Sequence, residues 1–160
     1  ETEKNARIIL TENQIVLRYN DIEIISRLVE GQYPDYTQII PKEFKTTAEF
    51  PTLIISKEVK TASLFTTSGV NAITFDFKTE HGLVGISSVS AQTGEYKSDI
   101  EAEISGDKNS ILLNHRYILD GLNNIETEIC LLKMVNSDNP CVFTPKGDES
   151  FTYIIMPIRQ

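Results

Sequence analysis

The sequence is poor in the residues that organise metal, redox and phosphate chemistry. Two cysteines, Cys130 and Cys141, and two histidines, His81 and His115, are all it has of the soft ligands. The histidines stand alone with no ligand spacing around them, so no metal site is assigned and no cofactor is implied. If "EICLLKMV" and "PCVFTP" pair as a hairpin around residues 136–139, Cys130 lies opposite a residue near Pro145 and Cys141 opposite one near Met134, which keeps the two thiols apart. They read as buried free thiols. The 8 glycines form neither GxGxxG nor GxxxxGK[ST], which removes a glycine-rich phosphate loop. No nucleophile elbow organises the serines. No apolar run reaches about 18 residues, and "ETEKNARIIL" lacks the basic, apolar and small-residue regions of a signal peptide, so the expected location is the cytoplasm with no membrane partner. Cations are also in deficit: 15 Lys and Arg against 23 Asp and Glu give a net charge of -8. That balance argues against a nucleic-acid partner unless the charge is unevenly spread over the surface.

What is present is a strand-rich α+β pattern. Three apolar runs, near 7–10, 15–19 and 22–29, are separated by the turn-formers Glu12-Asn13 and Asn20-Asp21, which predicts a three-stranded meander. Nothing else in that segment can cover its apolar face, so this part reads as the end of a domain whose earlier part lies upstream. "GQYPDYTQIIP" follows, too irregular for helix or strand and too apolar for a loose linker.

From Phe44 the order strand, helix, three strands occurs twice. "FKTTAEF" leads to a helix with Pro51 in its first turn, running to about Phe65, with Ile55, Val59 and Ala62 as its buried stripe. "NAITFDF", "LVGISSVS" and "YKSDIEAEIS" are the next strands. "SILLN" then leads to a helix capped by Asn114 and running to about Asn124, followed by "ETEICLLKMV", "PCVFTP" and "FTYIIMPI". The fold expected is two β-α-β-β-β units whose helices lie on one face of one continuous antiparallel sheet.

Charge is distributed unevenly over that pattern. Lys57 and Lys60 give the first helix a cationic, small-residue-rich exposed side, while Asp99, Glu101 and Glu103 make one face of a strand acidic. A catalytic use of those carboxylates would make the protein a hydrolase, but no base or ligand partner lies near them in sequence and a solvated strand face accounts for them. The terminal "YIIMPIRQ" is unusual, because Pro157 interrupts the ladder and leaves apolar side chains near a terminus. Met156, Pro157, Ile158 and Arg159 are expected to form an exposed, adaptable pocket edge.

"SRLVEGQYPDYTQIIPKEF" and "YIIMPIR", separated by the two β-α-β-β-β units, closely resemble the bacterial DNA sliding clamp, the beta subunit of DNA polymerase III, along the whole chain. The resemblance implies a DNA-clamp fold, with residues 1–43 ending the middle domain and forming a connector, and 44–160 forming the third domain. It implies a non-catalytic processivity factor of the replicative polymerase. Two complete chains would join head to tail in a homodimeric ring around double-stranded DNA, and a groove would take a short linear motif of polymerase subunits, the clamp loader and repair proteins. Carried over by position, the groove would be lined by Pro34, Gln38, Ile39, Asn114, Tyr117, Ile154, Met156, Pro157, Ile158 and Arg159. Lys57, Lys60, His115 and Arg116 would face DNA, and Leu64 and Phe65 would meet the partner subunit. The rival from another class is a stand-alone peptide-recognition module with no role on DNA.

Overall fold

The computed structural model describes residues 5–33 and 35–159. The chain forms two compact units, residues 1–35 and 36–160. The first is the expected antiparallel meander, β1 (Arg7–Leu10), β2 (Gln14–Tyr19) and β3 (Ile22–Arg27). Its register puts Ile8, Leu17 and Ile24 in one cross-strand row and Leu10 and Ile15 in a neighbouring row on the same face. Arg7, Arg18 and Glu23 share a row on the other face, and Arg18 pairs with Glu23 there. No described residue of these strands is buried. Within this unit one face is therefore apolar and uncovered, while the other is mixed, since Ile9, Val16 and Ile25 also share a row on it.

The second unit contains the repeat. Its elements are β4 (Thr46–Pro51), α1 (Thr52–Ser63), β5 (Ala72–Lys78), β6 (Leu83–Ser90), β7 (Gly94–Glu101), β8 (Glu103–Gly106), β9 (Asn109–Asn114), α2 (His115–Leu122), β10 (Ile129–Met134), β11 (Cys141–Pro145) and β12 (Tyr153–Ile155). The antiparallel framework comes in two sheets rather than one continuous sheet: β12-β11-β10-β4-β8 and β7-β6-β5-β9. Each repeat lends its first strand to the other repeat's meander, β4 pairing with β10 and β9 with β5. Neither repeat completes a sheet alone, so the two share one core. Phe50, Phe75, Phe77 and Phe143 fill it together with Ile55, Val59 and Ala62 from α1 and Ile118 and Leu122 from α2.

The local differences from expectation have physical causes. Pro51 is not the first helical residue; it ends β4 opposite Ile129 and precedes α1 with φ -62° and ψ 122°. A proline tolerates that position because its φ is already fixed near the value required. α1 stops at Ser63, and Leu64 and Phe65 close it by donating their N–H groups to the Thr61 and Ala62 carbonyls. α2 ends at Leu122, with Asn123 and Asn124 bonding back to Leu119 and Gly121. "YKSDIEAEIS" is two strands, not one. β7 pairs with β6, β8 pairs with β4, and Ala102 between them carries the chain from one sheet to the other while its N–H donates to the Gly82 carbonyl at 2.9 Å. The final strand covers only Tyr153–Ile155; beyond Pro157 the Ile158 N–H donates to the Leu112 carbonyl of β9 at 2.8 Å. The tail thus adds a backbone hydrogen bond between the two sheets. The hairpin register holds as read, with Cys130 opposite Pro145, and both thiols are buried and free.

Candidate nucleic-acid and peptide-binding surfaces

The packing separates the charges. Ile55, Val59 and Ala62 turn one stripe of α1 into the core, which leaves Lys57 and Lys60 exposed on the helix side facing away from it. On β7 the parity is equally clear. Ile100 is buried, and the Tyr96 hydroxyl donates to Glu58 of α1 at 2.5 Å, so this parity faces the helices. Glu95, Lys97, Asp99 and Glu101, on the other parity, are exposed on the face away from them. Burial is the main cause raising the Tyr96 phenol above its ordinary value, with the Glu58 bond acting in the same direction.

Two details revise the picture of a purely cationic helix. Leu53 is 76% exposed and Ile54 48% exposed, so the first turn of α1 presents apolar side chains beside the lysines. Only one stripe of a helix can face a core, and these two lie off it. On α2, Arg116 is exposed, but His115 is half-buried and its Nδ1 finds no hydrogen-bond partner among the described residues. Burial, with the neighbouring Arg116 charge, pushes its imidazole below the usual range, so it is neutral near pH 7.

The acidic strand residues separate into two places, and His81, distant from two of them in sequence, lies beside those two in space. Asp99 is paired with Lys78 at 2.5 Å. Glu101 and Glu103 flank the Ala102 crossing, beside a cleft of about 510 Å³ that Glu49, His81 and Lys146 also line. Lys146 is paired with Glu49 at 2.5 Å. Among the described residues no group of His, Cys, Asp or Glu is arranged to hold a metal ion, and no helix is long and apolar enough to cross a membrane.

The groove candidates fall into three places. Asn114 caps α2, its side-chain oxygen accepting from the Arg116 N–H at 2.9 Å, and Tyr117 one turn later is 55% exposed. Ile154 lies on β12 opposite Val142, with parity opposite to the core residue Ile155. Met156 follows, 57% exposed, then half-buried Pro157 and Ile158 and exposed Arg159. Gln38 ends a short 3-10 turn, Tyr36–Gln38, with Ile39 just beyond it, both exposed. Pro34 lies outside the described residues. Of the candidate subunit contacts, Leu64 is exposed, whereas Phe65 is half-buried and stacks on Tyr96 with ring centres 5.7 Å apart.

One group of aromatic residues went unnoticed in the sequence. Tyr153 stacks on Phe151 at 6.3 Å and presses its ring against the backbone of Gly121 in α2, which lies one turn beyond Tyr117. Burial is the main cause raising the Tyr153 phenol, and Asp120 and Tyr117 act in the same direction. Tyr153 thus ties β12, which carries Ile154, to α2, which carries Tyr117. The readable signal was a glycine inside a predicted helix, a position that costs about 1 kcal/mol relative to alanine unless something needs the space.

Residues 37–159 match the family model of the DNA polymerase III beta subunit, C-terminal domain. The chain belongs to that family. It is 29% identical over 160 residues to the beta sliding clamp of Staphylococcus aureus, an alignment covering 99% of this chain. Among solved structures, the DNA polymerase III beta subunit of Thermotoga maritima aligns at 28% identity with a TM-score of 0.85, covering 97% of this chain and 42% of that one. The Bacillus subtilis sliding clamp aligns at 28% identity with a TM-score of 0.86, covering 97% and 41%. The chain spans 42% of the length of the Staphylococcus aureus relative. The α+β fold of paired β-α-β-β-β repeats is therefore the beta-subunit clamp fold.

Proposed function

We propose that this chain is the carboxyl-terminal part of a processivity clamp: a non-catalytic subunit that, in the complete protein, encircles double-stranded DNA and tethers replication proteins to it. The observation that carries this reading is family membership over residues 37–159, the whole of the second unit but for its ends. A ring holds DNA by topology, so its inner surface needs only weak attraction for phosphate and no reading of bases. Lys57, Lys60 and Arg116, all exposed, suit that role; on the outer sheet face Lys78 and Lys97 pair with Asp99 and Glu95, which leaves Glu101 as the β7 carboxylate that disfavours DNA there. His115 adds little charge at neutral pH. Head-to-tail pairing of two complete chains would use Leu64 and Phe65.

Polymerase subunits, the clamp loader and repair proteins would dock a short Gln/Leu/Phe-type motif against Asn114, Tyr117, Ile154, Met156, Pro157, Ile158 and Arg159, with Pro34, Gln38 and Ile39 on the connector. Residues 1–43 would be the end of the middle domain and 44–160 the third domain. The exposed apolar side chain of Met156 beside half-buried Ile158 supports the groove, since such anchors dominate peptide affinity.

The test uses the natural protein that carries this chain. It should be retained on closed circular duplex and lost from linear duplex. Equal retention on both would remove the ring, leaving a stand-alone peptide-recognition module. Met156→Ala with Ile158→Ala should weaken binding of a Gln/Leu/Phe-type peptide by about tenfold or more without loss of cooperative unfolding, and unchanged calorimetric titration would remove the groove assignment. Lys57→Ala with Lys60→Ala should lower the salt dependence of DNA affinity by about 1 per lost phosphate contact; an unchanged slope would take those lysines off the DNA surface.

A further inference from the structure

We propose that Gly121 is a positioning residue for the peptide groove, acting through the ring of Tyr153; this rests on the groove reading above. A Cβ at Gly121 would lie 2.5 Å from Tyr153 Cδ1, 2.8 Å from Cε1 and 3.1 Å from Cγ. Those distances are well inside van der Waals contact, and three atoms of one ring cannot all be relieved by a small shift at its far end. Glycine therefore sets how closely β12 approaches α2.

That spacing bears directly on the groove. Asn114, Tyr117 and Gly121 recur at i, i+3 and i+7, on one side of α2. Tyr153 lies against this side and leads within three residues to Met156; it shares the parity of Ile155, opposite to that of Ile154, so the ring sets how far the strand backbone that carries Ile154 and Met156 stands from α2. Phe151 supports its other flank by stacking. Ile155, two residues on, is locked in the core, and the Ile158 N–H is tied to Leu112. A displaced ring cannot be absorbed by β12 alone and must be passed to Met156 and Pro157 or back to Tyr117.

The residue's own helix preference acts the other way. Alanine is favoured over glycine at a helical position, here the last turn of α2, so a cost of Gly121→Ala would come from the ring and not from the backbone. A double-mutant cycle in the natural protein separates the two. Gly121→Ala should weaken binding of a Gln/Leu/Phe-type pentapeptide about tenfold while unfolding stays cooperative. In a Tyr153→Leu background, which removes the ring from Gly121, the same change should cost nothing further. Wild-type affinity in Gly121→Ala overturns the proposal, as does an equal loss in both backgrounds. If Gly121→Ala does not fold, the decision passes to Tyr153→Leu and to the double variant. The proposal requires both to fold and to bind alike, more weakly than wild type, and wild-type affinity in Tyr153→Leu overturns it. Met156→Ala with Ile158→Ala serves as the reference: if that pair weakens binding and Gly121→Ala does not, only the positioning role fails. If neither changes it, or the wild type does not bind, the groove reading fails and takes this one with it.

Discussion

Replacing Gly106 by alanine should be among the most damaging single-methyl additions in the molecule, and Gly147 provides its control. Both glycines have positive φ, +93° and +80°, a region that a side chain makes costly by about 1–2 kcal/mol. Their surroundings differ. A Cβ on Gly147 meets nothing within 4 Å. On Gly106 it would overlap the Lys45 carbonyl oxygen and lie 2.8 Å from the Lys45 carbonyl carbon, both backbone atoms that cannot swing aside. Relief requires the β4–β8 edge to open where Gly106 faces Thr46, and the Asp107 N–H to leave the Lys45 carbonyl it now bonds at 2.9 Å. Losing that bond adds about 1–2 kcal/mol. Gly106→Ala should then cost about 3 kcal/mol and Gly147→Ala about 1 kcal/mol. Urea unfolding of the two variants reads the difference as a midpoint roughly 1 M lower for Gly106→Ala at unchanged slope. Equal midpoints would refute the reasoning, because they would mean that φ alone, and not the blocked approach of β8 to β4, sets the requirement for glycine.

The buried thiols give a pH prediction. Burial pushes Cys130 up to about 11 and Cys141 up to about 12 from the ordinary 9.0. The unfolded chain therefore loses these protons first, and the stability contributed is complete below about pH 9 and falls as pH rises through the folded values. Cys141→Ala should flatten the decline in stability between pH 9 and 11 relative to wild type, followed by denaturant midpoints; parallel curves would count against it. At the start of α2, Asn114→Ala should cost about 1 kcal/mol by removing the cap on Arg116, while Asn114→Asp keeps it, and thermal melts that rank the two equally would dismiss the cap.

How much could be read from the chain in advance depended on whether the signal was local. The Cys130–Pro145 register followed from a short hairpin, where turn position and two-residue alternation fix every pair. The α1 stripe of Ile55, Val59 and Ala62 followed from helical periodicity in the same way. Ala102 was invisible because the alternation of Asp99, Ile100, Glu101, Ala102, Glu103 and Ile104 runs on unbroken through it. The change of pairing partner there, from β6 to β4, is a long-range fact. The exchange of β4 and β9 between the repeats was hidden for the same reason, since strand patterns report faces and not neighbours. Among the candidate site residues, the exposure of Met156 followed from Pro157 and the terminus, but the seat of Tyr153 on Gly121 joins residues 32 positions apart, counting 153 − 121. Leu53 and Ile54 were not anticipated on the cationic side of α1, because a run of four apolar or small residues hides which of them lie off the stripe.

The hydrogen bond from Ile158 to β9 gives the stretch after β12 a double duty. The stretch that would receive a visiting motif is also the stitch that ties β12 to β9 through Ile158 and Leu112. A guest that ordered this stretch would tighten the seam as well, so occupancy and mechanical cohesion of the domain would rise together.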